Sequence, residues 1–221
     1  MKNKLLIVMM LVVSALGSFW LVVPDNERLE IDEKITSSVD KDSDGLDDYT
    51  DIMEGARAQI GVVTEYDTGY YQDAYPPENS GVCADVIWRA LEEAGYDLKE
   101  MLDADMALYP EDYTQDPAPD TNINFRRVRN IKVFLEKYAE SLTIEVIPWD
   151  EENLAEWQGG DIVSFDQIEG GLWHIAIVSD ERRDDGVPLI IHNYGYGVKE
   201  NDYLLNWPTE ITGHYRWVVD R

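Results

Sequence analysis

The chain is poor in the residues that usually announce a chemistry: among 221 residues there are three histidines and one cysteine, Cys83. A lone thiol closes no disulfide within the chain, and a spare thiol in an oxidising place is a liability, so its presence leans towards chemistry. Basic residues are also scarce, 18 against 45 acidic ones, for a formal net charge of −27. That field repels phosphate backbones and anionic headgroups, which excludes nucleic acid as a partner. Nor do strands and helices alternate as a parallel sheet requires. What the chain does have is 44% hydrophobic residues, 13 tyrosines and 7 tryptophans, the composition of a folded, aromatic-rich protein. With an N-terminal segment and a connector set aside, about 170 residues remain, enough for one domain with a sizeable core.

The order of the chain predicts four parts. Met1-Lys2-Asn3-Lys4 carries two positive charges and precedes Leu5–Val23, nineteen residues without an ionisable group. That length spans a bilayer as a helix, and the leading lysines keep the N-terminus cytoplasmic. Ala15-Leu16-Gly17 offers small residues for a cleavable signal, the competing reading. Residues 1–23 are thus a membrane anchor or a signal peptide. Either way the rest is exported, as a single-pass cell-membrane protein with an extracytoplasmic domain or as a secreted one. Residues 24–39 read as a polar, acidic linker without apolar periodicity.

The third part is residues 40–51, where Asp40, Asp42, Asp44, Asp48 and Asp51 occupy positions 1, 3, 5, 9 and 12 of a loop with Gly45 at 6. This is the calcium-loop spacing of EF-hands and of thrombospondin type 3 repeats. A hard cation needs six or more oxygens, alternate residues turn their side chains inward, and glycine permits the sharp bend. The expected ligands of a structural Ca2+ are these five carboxylates and the Leu46 backbone carbonyl. Asp51 stands where glutamate is usual. The loop reads as a clamp between the anchor and the fourth part, residues 52–221.

In that last part, Val82, Val86, Ile87, Ala90, Leu91 and Ala94 recur at helical spacing behind Ser80-Gly81, a candidate N-cap, and Gly95 closes the helix. Cys83 falls in the first turn, where unpaired N–H groups and the helix dipole favour thiolate. The opposing reading is a small buried hydrophobe. Further helices are expected over about 49–60, from Asp97 to about Met106, and from near Arg126-Arg127. Those arginines are read as partners of nearby acids or of a substrate carboxylate. The tyrosines of 61–77 could line a groove or pack a loop, and Tyr109–Asn124 reads as a long surface loop. Short β-branched or aromatic runs at 142–147, 161–165, 172–179, 189–194 and 214–219 then predict an antiparallel meander. The fold class is α+β, with N-terminal helices packed on an antiparallel sheet.

His174 shares a strand face with Ala176 and Val178, and His192 shares one with Ile190. A hairpin centred near Arg183 would set the two histidines opposite one another. Packing the Cys83 helix over that face would make Cys83 a nucleophile, His174 its base and His192 the residue that orients the base. His214, in the last strand, reads as structural.

The order Cys83, then Gly160-Asp161-Ile162-Val163, then His174-Ile175-Ala176-Ile177-Val178, then Ile190-Ile191-His192 resembles the NlpC-type cell-wall cysteine peptidases of the papain-like superfamily. Where those enzymes usually carry Asp-Cys-Ser-Gly, this chain has Val82-Cys83-Ala84-Asp85. Over about 51–217, the segments Gly81–Val86, Asn122–Asn130, Gly160–Val163, His174–Asp180, Ile191–Asn193 and Gly213–Arg216 are similar to the exported bacterial YijF-like family of unassigned function. The resemblance implies a papain-like, NlpC-type catalytic domain with a Cys83, His174, His192 triad and no catalytic cofactor. The implied activity is extracytoplasmic thiol hydrolysis, as an amidase or peptidase of peptidoglycan stem peptides. The other readings are acyl transfer by the same residues, as transamidation or lipid deacylation, and a non-catalytic cell-wall-binding module.

Overall fold

Helical spacing in the first half of the domain and alternation in the second produce the two layers of the molecule. The computed structural model describes residues 28–32, 34–113 and 118–218. The expected anchor or signal at 1–23 lies outside them; among the described residues no helix is long and apolar enough to cross a membrane. In chain order the elements are α1 (Asp48–Ala58), β1 (Glu65–Tyr66), β2 (Ser80–Gly81), α2 (Cys83–Glu93), α3 (Leu98–Leu108), α4 (Val128–Tyr138), β3 (Glu140–Ser141), α5 (Glu151–Ala155), β4 (Ile162–Phe165), β5 (His174–Arg182), β6 (Pro188–Asn193), β7 (Val198–Asn201) and β8 (Ile211–Arg216). Tight 3-10 turns at Pro110–Tyr113 and Asn124–Arg126 break the long segment between α3 and α4.

Six strands form one antiparallel sheet in the order β3-β8-β4-β5-β6-β7, and β1 pairs with β2 in a separate parallel ribbon. The α+β architecture expected from the sequence is the one observed. Both faces of the large sheet are buried. Ile162, Ile175, Ile177 and Ile191 turn towards Ile87 and Leu91 of α2 and Ile52 of α1 in the larger core. Val163, Phe165, Ala176, Val178 and Ile190 turn to a smaller core under Leu154, Trp157, Leu204 and Trp207. Each fully buried Ile or Leu contributes about 1.5–3 kcal/mol, so both layers are needed for a stable domain.

α2 is the central helix, and its ends have separate causes. At its end Gly95, with φ of 80°, donates to Glu92 O at 2.9 Å while Tyr96 N donates to Leu91 O at 2.9 Å, a Schellman turn that needs the left-handed residue. At its start the N-cap is Val82, and Ser80-Gly81 are paired as β2 instead of capping. The cap function passes to Asp85, whose Oδ2 accepts from Val82 N at 2.6 Å.

Three other expectations change. Residues 142–147 leave the sheet after Glu140–Ser141: Leu142 N still donates to His214 O at 2.9 Å, but Ile144 is exposed. Val198–Asn201 forms the edge strand β7 although its sequence is mostly polar, because backbone pairing with β6 suffices at an edge. The described part of the connector is not a free linker. Leu29, Ile31, Ile35 and Val39 turn inward alternately; Leu29 N donates to Asp184 O at 2.8 Å and Ile35 N to Gln158 Oε1 at 3.2 Å.

Gly160 shows how tightly the layers meet. Its φ is 93°, and a Cβ there would lie 2.3 Å from Tyr49 O, in the first turn of α1. Gly160→Ala is expected to destabilise the domain by at least about 2 kcal/mol, from backbone strain plus the clash, read as a lower urea midpoint at unchanged slope.

Candidate active site

Asp85 builds the start of α2 from below. It is fully buried and paired with Arg126, whose Nε reaches Oδ1 at 2.8 Å and whose Nη2 reaches Oδ2 at 2.9 Å. Trp88 Nε1 also donates to Oδ1, at 2.8 Å. The same guanidinium donates to Gly69 O at 2.7 Å and Asp67 O at 3.1 Å, which fastens the tyrosine-rich loop to the helix start. Of the two roles foreseen for the arginines, Arg126 takes the acid partner. Within the loop both readings of the tyrosines hold: Tyr75 packs edge-on against Trp88 and Phe125, and Tyr66 lines the cavity described next.

Cys83 is the first residue of α2 and lines a cavity of about 240 Å³ with Tyr66, Val82, Arg126, Arg129 and Trp173. Neither His174 nor His192 lines it. The side chain is 4% exposed, and its Sγ donates weakly to Trp173 O at 3.9 Å. Burial pushes the thiol up to about 12, and Asp85 adds to this, while the N–H groups of Ile175, Ala84 and Cys83 pull the other way. The expected thiolate bias of the helix terminus is therefore outweighed. A helix end supplies about 0.3–1 kcal/mol at exposed positions and about 2 at most, near one pKa unit, whereas full desolvation moves a group by several.

His174 opens β5, and His192 is the penultimate residue of β6. Their rings meet with His174 Nε2 2.7 Å from His192 Nδ1, and His192 Nε2 lies 3.1 Å from Asn201 Oδ1 on β7. The expected shared face is correct, but the register is not the symmetric one. β5 and β6 pair as Ile177 with Ile191 and Val178 with Ile190, with an irregularity between Val178 and Arg182. That register sets Ala176 across from His192, and the two imidazoles meet on the diagonal, a separation that long side chains bridge. Trp207 stacks on His174 at 3.8 Å between centroids and 10° between planes. Burial holds both rings neutral: His174 lies well below its ordinary value, helped by the neighbouring His192, and His192 falls to about 4.

The packing of helix on sheet differs from expectation. α2 covers the Ile175, Ile177, Ile191 face, and the histidines belong to the Trp207 face. Cys83 meets His174 at the strand's start, where the sulfur touches the backbone on both sides of it, through Trp173 O and the Ile175 N–H. No hydrogen bond joins the thiol to either ring among the described residues. Both strand faces are apolar, so the alternation of side chains carries no mark of which one receives the helix. Asn201 and Trp207 were not foreseen; the only signal was an amide in the polar run of β7 and an aromatic in the stretch after it. His214, read from the sequence as structural, is buried away from this pair, spanning Thr143 O at 2.8 Å and Asp161 Oδ2 at 2.9 Å and stacked on Trp157.

The acidic loop lies at the far end of α2, beside Gly95 and Tyr96. One expected ligand is otherwise engaged: Asp48 is fully buried, with Oδ1 accepting from Lys41 N at 2.9 Å and Oδ2 from the Tyr96 hydroxyl at 2.5 Å. It anchors the loop to the domain, because its position in the first turn of α1 faces the α2–α3 turn.

Two outcomes follow from this geometry. Asp85→Ala leaves the Arg126 charge buried without its partner and is expected to cost about 3–5 kcal/mol, measured by chemical denaturation. Because burial pushes the thiol up to about 12, its thiolate fraction falls about tenfold for each pH unit below that. Alkylation of Cys83 in the folded protein is thus expected to climb steadily from pH 7 to 10 without the plateau near neutrality of a preformed thiolate, as followed by mass spectrometry.

Comparison with known proteins agrees with the motif pattern. Residues 53–217 match the family model described as a domain of unknown function, DUF1287. The chain is also 40% identical to the "Uncharacterized protein YijF" of Escherichia coli (strain K12) over 175 residues, which covers 76% of this chain and 81% of the relative. No solved structure matches. The matched residues begin inside α1 and end just after β8, so they take in α2, the histidine strands and the Asp85–Arg126 pair together, and the chain belongs to the DUF1287 family.

Proposed function

We propose that this protein is an extracytoplasmic thiol hydrolase of papain-like, NlpC-type fold that cleaves amide bonds in peptidoglycan stem peptides. The observation that carries the reading is the one-way hydrogen-bond chain from Asn201 to His174. An amide oxygen only accepts, so Asn201 Oδ1 fixes the proton of His192 on Nε2. His192 Nδ1 is then an acceptor, and His174 must donate to it from Nε2. This leaves Nδ1 of His174 with its lone pair, on the residue whose flanking backbone touches the Cys83 sulfur. His192 and Asn201 are positioning residues that set a tautomer, and Trp207 holds the ring from above.

The neutral resting state decides the order of events. With the thiol raised and the imidazole lowered, the proton stays on sulfur until an amide carbonyl enters the cavity. Attack then couples two movements: the S–C bond forms while the thiol proton passes to His174 Nδ1. The oxyanion is stabilised by backbone N–H groups at the start of α2. Its collapse breaks the C–N bond, and the amine leaves with the proton held by His174. Water, deprotonated by the same nitrogen, hydrolyses the thioester and restores the thiol. Val82, Tyr66 and Trp173 supply apolar walls for a peptide, with arginine stems at the rim. Export of the domain rests on the charge-free run Leu5–Val23, and the wall substrate rests on the motif resemblance.

The test is mass spectrometry of purified peptidoglycan incubated with the wild type, Cys83→Ala and His174→Ala. Shortened stem peptides with the wild type alone are the expected result, with a loss of at least about 10³-fold in either variant. New crosslinks in place of shorter fragments would reassign the site to transamidation. Intact peptidoglycan that retains bound protein would make the domain a binding module.

A further inference from the structure

The acidic loop is not used by the thiol chemistry, and it lies upstream of residues 53–217 that define the family. Asp40, Asp42 and Asp44 bring carboxylate oxygens within 4.8 Å of one another. Their own backbone curls the loop: Asp44 N and Gly45 N donate to the two Asp40 oxygens at 3.1 and 3.0 Å, and Leu46 N donates to Asp44 Oδ1 at 2.8 Å. Three exposed acids do not make a site by themselves. The independent observation is Asp51, which is 3% exposed in the first turn of α1 with Oδ2 meeting no donor among the described residues. Asp44, Asp42 and Asp40 are the charges that act on it most, so the fourth carboxylate sits in the field of the other three. A buried carboxylate oxygen without a donor costs free energy that a cation removes.

We propose that Asp40, Asp42, Asp44 and Asp51, with the Leu46 carbonyl, bind one Ca2+, and that the ion clamps residues 28–47 onto the domain. An all-oxygen, carboxylate-rich flexible loop suits calcium, whereas magnesium demands a tighter octahedron and keeps several waters. The clamp follows from where the ligands sit. Asp40, Asp42, Asp44 and the Leu46 carbonyl precede α1 and Asp51 is on it, so the ion joins two segments also linked by Asp48 N to Val39 O, Lys41 N to Asp48 and Ser37 N to Asp47. Asp48 is the built-in footing, tied to Tyr96 at the α2–α3 turn. With a single loop and a closing aspartate, affinity belongs at the weak end of such sites, about 10⁻⁴ to 10⁻³ M.

The experiment uses the full chain in mild detergent, stripped with chelator, then given about 5 mM CaCl2 or MgCl2. Calcium is expected to raise the unfolding midpoint by about 2–8 °C and to slow proteolysis within 28–47 about tenfold, with magnesium giving less than half the shift. Asp42 and Asp44 are exposed, so the double variant Asp42→Ala/Asp44→Ala keeps the fold and should lose both effects. Asp51→Asn should weaken calcium at least about tenfold. No calcium shift in the wild type, an unchanged shift in the double variant, an equal response to magnesium, or full affinity in Asp51→Asn would each overturn the assignment.

Discussion

The Asp85 carboxylate is the constraint on which the candidate site depends. A charge with no exposure to water must find all of its partners inside, and it does so with Val82 N, Trp88 Nε1 and two nitrogens of Arg126. Those partners come from the helix start, the helix itself and the turn before α4. Arg126 passes the constraint on to the loop at Asp67 and Gly69. The direction in which Cys83 leaves the helix, and the loop that walls its cavity, are therefore consequences of satisfying one ion. The pair need not stabilise the fold in net terms, since desolvating two charges offsets much of their attraction. What it fixes is geometry.

The second organising fact is that the sheet is covered on both sides. The α1–α2 layer takes the odd-numbered residues of β5 and the Trp207 layer takes the even ones. Cysteine and histidines thus approach from different layers and meet at the strand's first residue. The dry Trp207 layer keeps both imidazoles neutral, and a neutral imidazole pair has to pass hydrogen bonds in a single direction, which Asn201 chooses.

The layering was readable in the sequence because it rests on periodicity. Val86, Ile87, Ala90 and Leu91 at helical spacing and Ile175, Ile177 and Val178 in a short apolar run each imply one kind of element, and the α+β class follows. Gly95 was legible for the same reason, since a helix ending in glycine has few alternatives. Contacts set by tertiary choice were not legible. Which face of β5 receives α2, the bulge after Val178 that makes the histidine pair diagonal, and the replacement of Ser80 by Asp85 at the helix start all depend on partners far away in the chain. The connector was a different kind of miss: Leu29, Ile31, Ile35 and Val39 do alternate, but polar neighbours dilute the signal below notice.

The closed position of Cys83 has a consequence outside catalysis. With one thiol per chain, a disulfide between protein thiols can only join two molecules, and the sulfur must leave its place at the helix start before it can reach a second one. Covalent dimers would then be a tally of opening events, so the rate at which they accumulate under mild oxidant measures how often the first turn of α2 comes away from the sheet.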